Sequence, residues 1–415
     1  MTQAERKLSP RNVVLLMCAA EIFSMTGFAT YPALLPGLRA EWGLSNSQAG
    51  LISGTFFAGY MSATPVLVGL TDRIDTRRIY LLATMLAFAG SLGFALFAHD
   101  MPTAMLFQAM VGAGLAGTYM PGLRLLTDHF RGATPSRAVA FYTSTFGLGT
   151  TGSLLLAGQL EPFGWSWTFA ATALGPLIAG PVVYCSFDPR AIQPGDATPG
   201  ILFDVRPVLR NRAAMGYILG YTAHCWELFG LRSWLPAFFA FSLGLTATTG
   251  GFWLGAASLA AWINMIGPLA SIFGNEAAVR RGRKPVVLTV MTAAGGMSCL
   301  VGFSAPLPIL VVFLVTAVYF LLVMGDSAAL TAGLVAAAEP GRKGASMALH
   351  SLMGFGAGFL APLAFGTVLD LAGGSDSVTA WGLAFIALGC WSLVTVFFVL
   401  LRRLSSRAAI ARPAQ

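Results

Sequence analysis

Charge is what this sequence lacks. Only 10% of its 415 residues are Asp, Glu, Lys or Arg, where a soluble domain carries about a quarter. A soluble chain of this length would divide into two or three domains with charged surfaces. The scarcity excludes a soluble enzyme and a disordered regulator. Cysteine is scarce too. Cys18, Cys185, Cys225, Cys299 and Cys390 lie inside apolar runs with no paired spacing, which excludes a disulfide scaffold and a thiolate metal site. The sequence has no nucleotide-cradling glycine loop and no hydrolytic constellation. ATP is therefore not the expected energy source, and neither catalysis nor a cofactor is expected.

What is present is apolar: 56% of the chain is hydrophobic. It comes in blocks of about 20 residues, the length that crosses a hydrocarbon core roughly 30 Å thick. The reading is an all-α membrane protein with twelve transmembrane helices, at about 12–38, 47–70, 79–98, 102–126, 138–159, 165–186, 213–241, 248–272, 285–304, 307–336, 344–368 and 379–401. The first block is too long for a signal-peptide core. The longest polar stretch, with Pro194, Gly195, Pro199 and Gly200, separates six spans from six. The expected organisation is an N-terminal half at 1–186, a cytoplasmic linker at 187–212, a C-terminal half at 213–401 and a cytoplasmic tail at 402–415.

The net charge of +8 invites a nucleic-acid partner, but the placement of the charge excludes one. With the N-terminus in the cytoplasm, 22 of the 25 Lys and Arg residues fall in cytoplasmic segments. Only Arg39 is external, and Arg124 and Arg232 remain in helices. This bias puts both termini in the cytoplasm of a bacterial-type inner membrane, with the arginines facing an anionic lipid leaflet.

The halves resemble each other. Gly43-Leu44-Ser45-Asn46-Ser47-Gln48-Ala49-Gly50 opens the second span, and Gly244-Leu245-Thr246-Ala247-Thr248-Thr249-Gly250-Gly251 opens the eighth. Phe146-Gly147-Leu148-Gly149 in the fifth span answers Phe355-Gly356-Ala357-Gly358 in the eleventh. Two parallel six-helix repeats imply one site near the midplane and alternating access.

The run Val68-Gly69-Leu70-Thr71-Asp72-Arg73-Ile74-Asp75-Thr76-Arg77-Arg78 resembles the loop signature between spans 2 and 3 of the major facilitator superfamily of secondary transporters. The acid, the arginine and the basic pair match; Asp75 stands where the family has its second glycine. Gly164-Trp165-Ser166-Trp167-Thr168-Phe169 is similar to the family's entry to span 6, and Gln108 replaces the arginine of its span 4 motif. The resemblance covers nearly the whole chain and implies two pseudo-symmetric six-helix halves and a monomer. It also implies a cytoplasmic gate at Asp72 and Arg73, with Arg77 and Arg78 beside them. Arg73 is in a position to pair with Asp128 at the end of span 4. The plainer alternative for this loop is topology alone.

Spans 3, 6, 9 and 12 carry no charge between their ends; in the family they face lipid. Spans 1, 4, 7 and 10, which line the family's cavity, carry Glu21, Arg124, then His224, Glu227 and Arg232, then Asp326. A charge inside a membrane costs about 2.5–3.5 kcal/mol even on a lenient scale, so these residues call for water or partners. Glu21 shares a helical face with Met25, Phe28 and Pro32 and is a candidate proton or substrate contact. His224 and Glu227 lie three apart, as neighbours, and form a candidate proton relay; the alternative is a histidine held by a backbone carbonyl. Arg232 suits a carboxylate or oxyanion, against a permanent ion pair with Glu21, Glu227 or Asp326. Asp326 is a transport candidate, against a carboxylate neutralised by Arg232 or hydrogen-bonded to a serine. Arg124 precedes Asp128 by one turn, which permits a structural salt bridge. Tyr31, Trp262, Asn264 and His350 are further candidates to line the cavity.

The expected function is transport of a small polar or anionic organic solute by alternating access, coupled to protons, in a lipid bilayer. One alternative is a proton-driven exporter of drugs or amphipathic cations; another is a non-transporting scaffold or sensor.

Overall fold

A chain dissolved in hydrocarbon must satisfy its backbone N–H and C=O groups internally, and helices do so within one segment. The computed structural model describes residues 9–71, 73–130, 136–189, 205–246, 254–339 and 342–410. Among them there is no strand. The helices are α1 (Pro10–Ser24), α2 (Thr30–Trp42), α3 (Asn46–Leu70), α4 (Thr76–Phe97), α5 (Met101–His129), α6 (Ser136–Leu160) and α7 (Trp165–Ser186). A short α8 (Arg206–Arg210) follows, inside the stretch read as a linker. Then come α9 (Arg212–Thr246), α10 (Ala256–Met265), α11 (Gly267–Arg281), α12 (Arg283–Val301), α13 (Ile309–Gly325), α14 (Ser327–Ala337), α15 (Lys343–Leu371) and α16 (Val378–Ile410).

Nine helical stretches among the described residues are long and apolar enough to cross a membrane, with α10–α11 and α13–α14 each counting as one stretch. The protein is a multi-pass membrane protein. The block at 12–38 is not one helix. It is split into α1 and α2, neither of which has the length to cross alone. The helices α5 and α6 have the length but a more polar composition, with Gln108, Arg124 and Asp128 in α5 and a run of threonines, serines and glycines in α6.

Three spans are interrupted, and each break carries polar groups. In the first, the chain turns at residues 25–29. The break leaves backbone groups without helical partners, and hydroxyls take them up. Ser153 Oγ accepts the Ala29 N–H at 2.9 Å and donates to the Thr26 carbonyl at 2.6 Å. Thr26 Oγ1 donates to the Thr172 carbonyl at 2.6 Å. The second break, between α10 and α11, falls at Ile266, just after Asn264; Gly267 and Pro268 restart the helix as Pro does at a first turn. The third falls at Asp326, between α13 and α14.

The described residues form two compact units, one from Met1–Leu38 and Thr55–Gly200, the other from Arg39–Gly54 and Ile201–Gln415. In the first, Val13, Met17, Tyr80, Leu126, Tyr142 and Val183 make a buried core. There α5 approaches α3 so closely that a Cβ on Gly112 would collide with the Phe56 carbonyl. In the second, Ala223, Met291, Ala329 and Leu330 form one core and Val208, Ile218 and Leu334 another. The start of α3, up to Gly54, belongs to this second unit.

Candidate functional site

Each unit buries an acidic cluster inside its own helices. In the first unit the cluster centres on Glu21, fully buried near the end of α1. Tyr142 Oη of α6 lies 3.1 Å from Glu21 Oε2, 3.0 Å from the Tyr119 carbonyl and 3.3 Å from the Thr118 carbonyl. One phenol proton serves one of these acceptors at a time. Ser24 Oγ donates to the Glu21 carbonyl at 2.8 Å and approaches Thr118 Oγ1 at 3.4 Å. Glu21 Oε1 is buried with no hydrogen-bond partner among the described residues, as is the Tyr80 hydroxyl. An unpartnered ionised oxygen in such a place is costly. The shared face with Met25, Phe28 and Pro32 does not exist, because α1 ends at Ser24 and Pro32 belongs to α2. Tyr31 is also buried, its ring edge-on to Phe94 with centroids 6.1 Å apart.

The second unit holds the denser cluster, built on α9. His224, Glu227 and Arg232 are all buried on this one helix, yet each meets a different partner. His224 does not pair with Glu227. Its Nδ1 lies 2.7 Å from Asp326 Oδ1 and 3.0 Å from the Val323 carbonyl. Two oxygens that close require a proton on Nδ1, and the N–H points at the carbonyl, so the carboxylate contact is electrostatic rather than a directed hydrogen bond. The histidine is held by a backbone carbonyl, the alternative weighed for it, and the carboxylate beside it at the break of span 10 is Asp326 rather than Glu227.

Glu227 has both oxygens occupied. Tyr319 Oη of α13 donates to Oε1 at 2.8 Å, and Ser392 Oγ of α16 donates to Oε2 at 2.6 Å. Arg232 Nε donates to Asn264 Oδ1 at 2.9 Å, beside the break of span 8. Asn264 Nδ2 in turn donates to the Ala260 carbonyl at 2.9 Å, which fixes the amide so that its oxygen faces the arginine. The guanidinium carbon sits 5.9 Å from the centroid of Phe320, within cation–π range. Asp326 lies against His224, a partner the sequence reading did not weigh for it.

His350, buried on α15, stacks on Tyr221 with centroids 3.6 Å apart, and Tyr221 stacks on His224 at 5.6 Å. His350 Nε2 meets Thr331 Oγ1 at 3.4 Å, while Nδ1 has no hydrogen-bond partner among the described residues. The two histidines therefore flank one tyrosine. Trp262 is 47% exposed.

At the loop signature, Asp72 lies outside the described residues. Arg73 and Arg78 are exposed. Arg73 does not take Asp128; Asp128 Oδ2 lies 3.7 Å from Arg124 Nε, one turn away on the same helix, and Arg124 also donates to Thr71 Oγ1. Arg77 is buried within the first unit. It clasps Asp75 through Nε at 3.0 Å and Nη2 at 2.6 Å and donates Nη1 to the carbonyls of Tyr184 and Phe187 at the end of α7. Its guanidinium carbon lies 5.2 Å from the Tyr184 ring centroid. The second glycine of the family signature is replaced here by the acid that holds this arginine. Burial acts to raise the Asp75 carboxyl, but the Arg77 side-chain and backbone hydrogen bonds outweigh it and leave the group below its ordinary value.

Sequence reasoning missed Tyr142, Tyr319 and Ser392, the hydroxyls on the two glutamates. A hydroxyl carries no sequence signal of which acid it meets across a bundle.

Comparison with known proteins agrees with this architecture. The family model described as Major Facilitator Superfamily matches residues 17–281. Protein spinster homolog 3 of Danio rerio is 25% identical over 235 residues, 54% of this chain and 47% of the relative. The niacin transporter NiaP of Acinetobacter baylyi is 25% identical over 137 residues, 33% of this chain and 31% of the relative. The matched region spans about half or less of these curated relatives. A bacterial homologue of the human lysosomal transporter Spinster, in an inward-facing and occupied conformation, superposes with a TM-score of 0.75 at 15% identity, covering 97% of each chain. The nucleoside transporter NupG gives 0.74 at 13% identity, covering 94% of this chain and 98% of the other.

Proposed function

The chain belongs to the major facilitator superfamily, and from that premise we propose that it is a twelve-span secondary transporter of a small organic solute bearing a carboxylate or another oxyanion, driven by protons through alternating access. The observation that carries the reading is the spatial separation of its charges. In the second unit a cation, Arg232, is oriented by Asn264, while a titratable pair, His224 with Asp326, occupies a different helix break. An anion binder and a proton carrier need that division: a guanidinium stays charged and offers a fork to an oxyanion, whereas imidazole and carboxyl groups can each bind and release a proton.

We assign proton carriage to Asp326 with His224, and to Glu21, whose Oε1 has no hydrogen-bond partner among the described residues. Glu227, held by Tyr319 and Ser392, ties α9 to α13 and α16 in this account. The names of the relatives support the solute class: one is a niacin transporter and another a 4-hydroxybenzoate transporter, and both compounds carry a carboxylate. We place the protein in a bacterial-type inner membrane with both ends cytoplasmic, on the strength of the arginine distribution, and the halves at 1–186 and 213–401.

The test is binding to purified protein. A panel of small carboxylates, inorganic oxyanions and lipophilic cations is titrated and read by thermal shift. The account expects a carboxylate to stabilise the wild type and to lose that effect in Arg232→Ala. Stabilisation by cations alone, kept in Arg232→Ala and lost in Glu21→Gln or Asp326→Asn, would replace it with the exporter of amphipathic cations.

A further inference from the structure

We propose that Asp370 is a releasable latch on the start of α3, and that its opening is a step of the transport cycle; the second clause rests on the transporter reading above. A helix begins with four backbone N–H groups that no helical carbonyl can reach. At α3 all four are accounted for. Ser45 and Gln48 cap reciprocally: the Ser45 N–H donates to Gln48 Oε1 at 2.9 Å and the Gln48 N–H to Ser45 Oγ at 3.1 Å, a capping box with glutamine at its third position. The helical ladder itself starts with the next group, the Ala49 N–H, which reaches the Ser45 carbonyl at 3.0 Å. The remaining two belong to Asn46 and Ser47. They donate to Asp370 Oδ1 at 3.0 Å and Oδ2 at 2.8 Å. Their side chains repeat the pattern, Asn46 Nδ2 to Oδ1 at 2.8 Å and Ser47 Oγ to Oδ2 at 2.6 Å. One carboxylate at the end of α15 thus accepts four hydrogen bonds from two residues far away in the chain. Charge-assisted bonds to a helix N-terminus are the strong kind.

Beneath the latch the contact is smooth. A Cβ on Gly50 would strike the Pro362 carbonyl, one on Gly54 the Phe359 carbonyl, and one on Gly366 the Asn46 carbonyl. Backbone lies on backbone along this seam, as small residues allow, so parting it disrupts little side-chain interdigitation. Asp370 is exposed, so water can replace it on the two freed N–H groups. The seam also lies where α3 changes allegiance. The start of α3, up to Gly54, belongs to one compact unit, and the rest, from Thr55, to the other. A strong, water-replaceable polar clasp over a smooth seam is a device that holds and lets go.

The experiment places a single reporter thiol, Ala49→Cys, in full-length protein whose native cysteines are replaced by serine or alanine, reconstituted in liposomes. Ala49 is fully buried. Its modification by a membrane-impermeant maleimide reports opening and needs no cargo, so a failed cargo assay leaves the result standing. Asp370→Ala is expected to raise the labelling rate about tenfold or more, the factor that follows from losing one charge-assisted hydrogen bond, with helix content and elution volume unchanged. Asp370→Asn, which keeps one acceptor oxygen, falls between. An unchanged labelling rate in Asp370→Ala overturns the proposal. So does acceleration seen only together with lost helix content, which would make Asp370 a fixed structural cap. In a second variant, Ser47→Cys with Asp370→Cys, a short bis-methanethiosulfonate crosslinker, which forms a disulfide to each cysteine with release of methanesulfinate and is cleaved by dithiothreitol, is expected to stop flux of a small carboxylate reversibly. Full flux in the crosslinked protein overturns the assignment of opening to the cycle.

Discussion

His224 Nδ1 sits 2.7 Å from Asp326 Oδ1 at the point where span 10 breaks. The break and the pair explain each other. Asp326 is the cap residue of α13, and the carbonyl of Val323, in the last turn, receives the histidine N–H. The contact between the two side chains is thus tied to the shape of the helix at its break.

Removing one member should leave the other buried and uncompensated. Asp326→Ala and His224→Ala are each expected to lower stability by about 3–5 kcal/mol, read by thermal unfolding in detergent. The double variant should cost less than the sum of the two. Additive losses would show that the two side chains do not interact.

Glu227 is expected to act as a structural tie. Tyr319→Phe and Ser392→Ala each remove one donor to a buried carboxylate, and each should cost about 1.5–3 kcal/mol with solute binding retained. Loss of binding with unchanged unfolding would instead put Glu227 in contact with the solute.

The hydroxyl of Ser153 is the partner of the Ala29 N–H at the first break. Ser153→Ala should cost about 1–3 kcal/mol, the penalty for an unsatisfied buried group. Ser153→Thr, which keeps the hydroxyl, should cost less, and equal losses in denaturation midpoints would deny the hydrogen bond its role.

Acid should loosen the Asp75–Arg77 clasp. The Asp75 carboxyl is held below its ordinary value of 3.8. Its contribution is therefore complete above that value and is lost as pH falls through the lower value of the folded protein. Between about pH 5 and pH 3 the melting temperature of the wild type should fall more than that of Asp75→Asn. Parallel curves would remove Asp75 from the acid response.

The fold was legible where the sequence repeats one simple physical demand. Apolar blocks of membrane length marked most of the long helices from α3 to α15 to within a few residues, apart from their breaks; α11 and α16 run well past the ends of their blocks, and α8 lies in the stretch read as a linker. The breaks were less visible. Gly267-Pro268 is a restart signal that can be read, but Thr26-Gly27 and Gly325-Asp326 carry no such mark, and tertiary partners such as Ser153 and His224 decide them. Partners were legible only within one helix. Arg124 and Asp128, one turn apart, do meet. His224 and Glu227 are also one turn apart, but their partners lie on other helices, and spacing along one helix says nothing of what faces it. The same limit hid Asp370, whose role is set by the α3 N-terminus it caps.

The most direct test of proton-driven solute movement uses purified protein in liposomes with an internal pH dye. Small carboxylates, inorganic oxyanions, amino acids and lipophilic cations are added one at a time, and every response is repeated with Glu21→Gln, Asp326→Asn and Arg232→Ala. The account predicts an internal pH change on addition of a carboxylate, abolished by Arg232→Ala and by Asp326→Asn. A carboxylate that enters without moving the dye, or a dye response confined to cations, would contradict it.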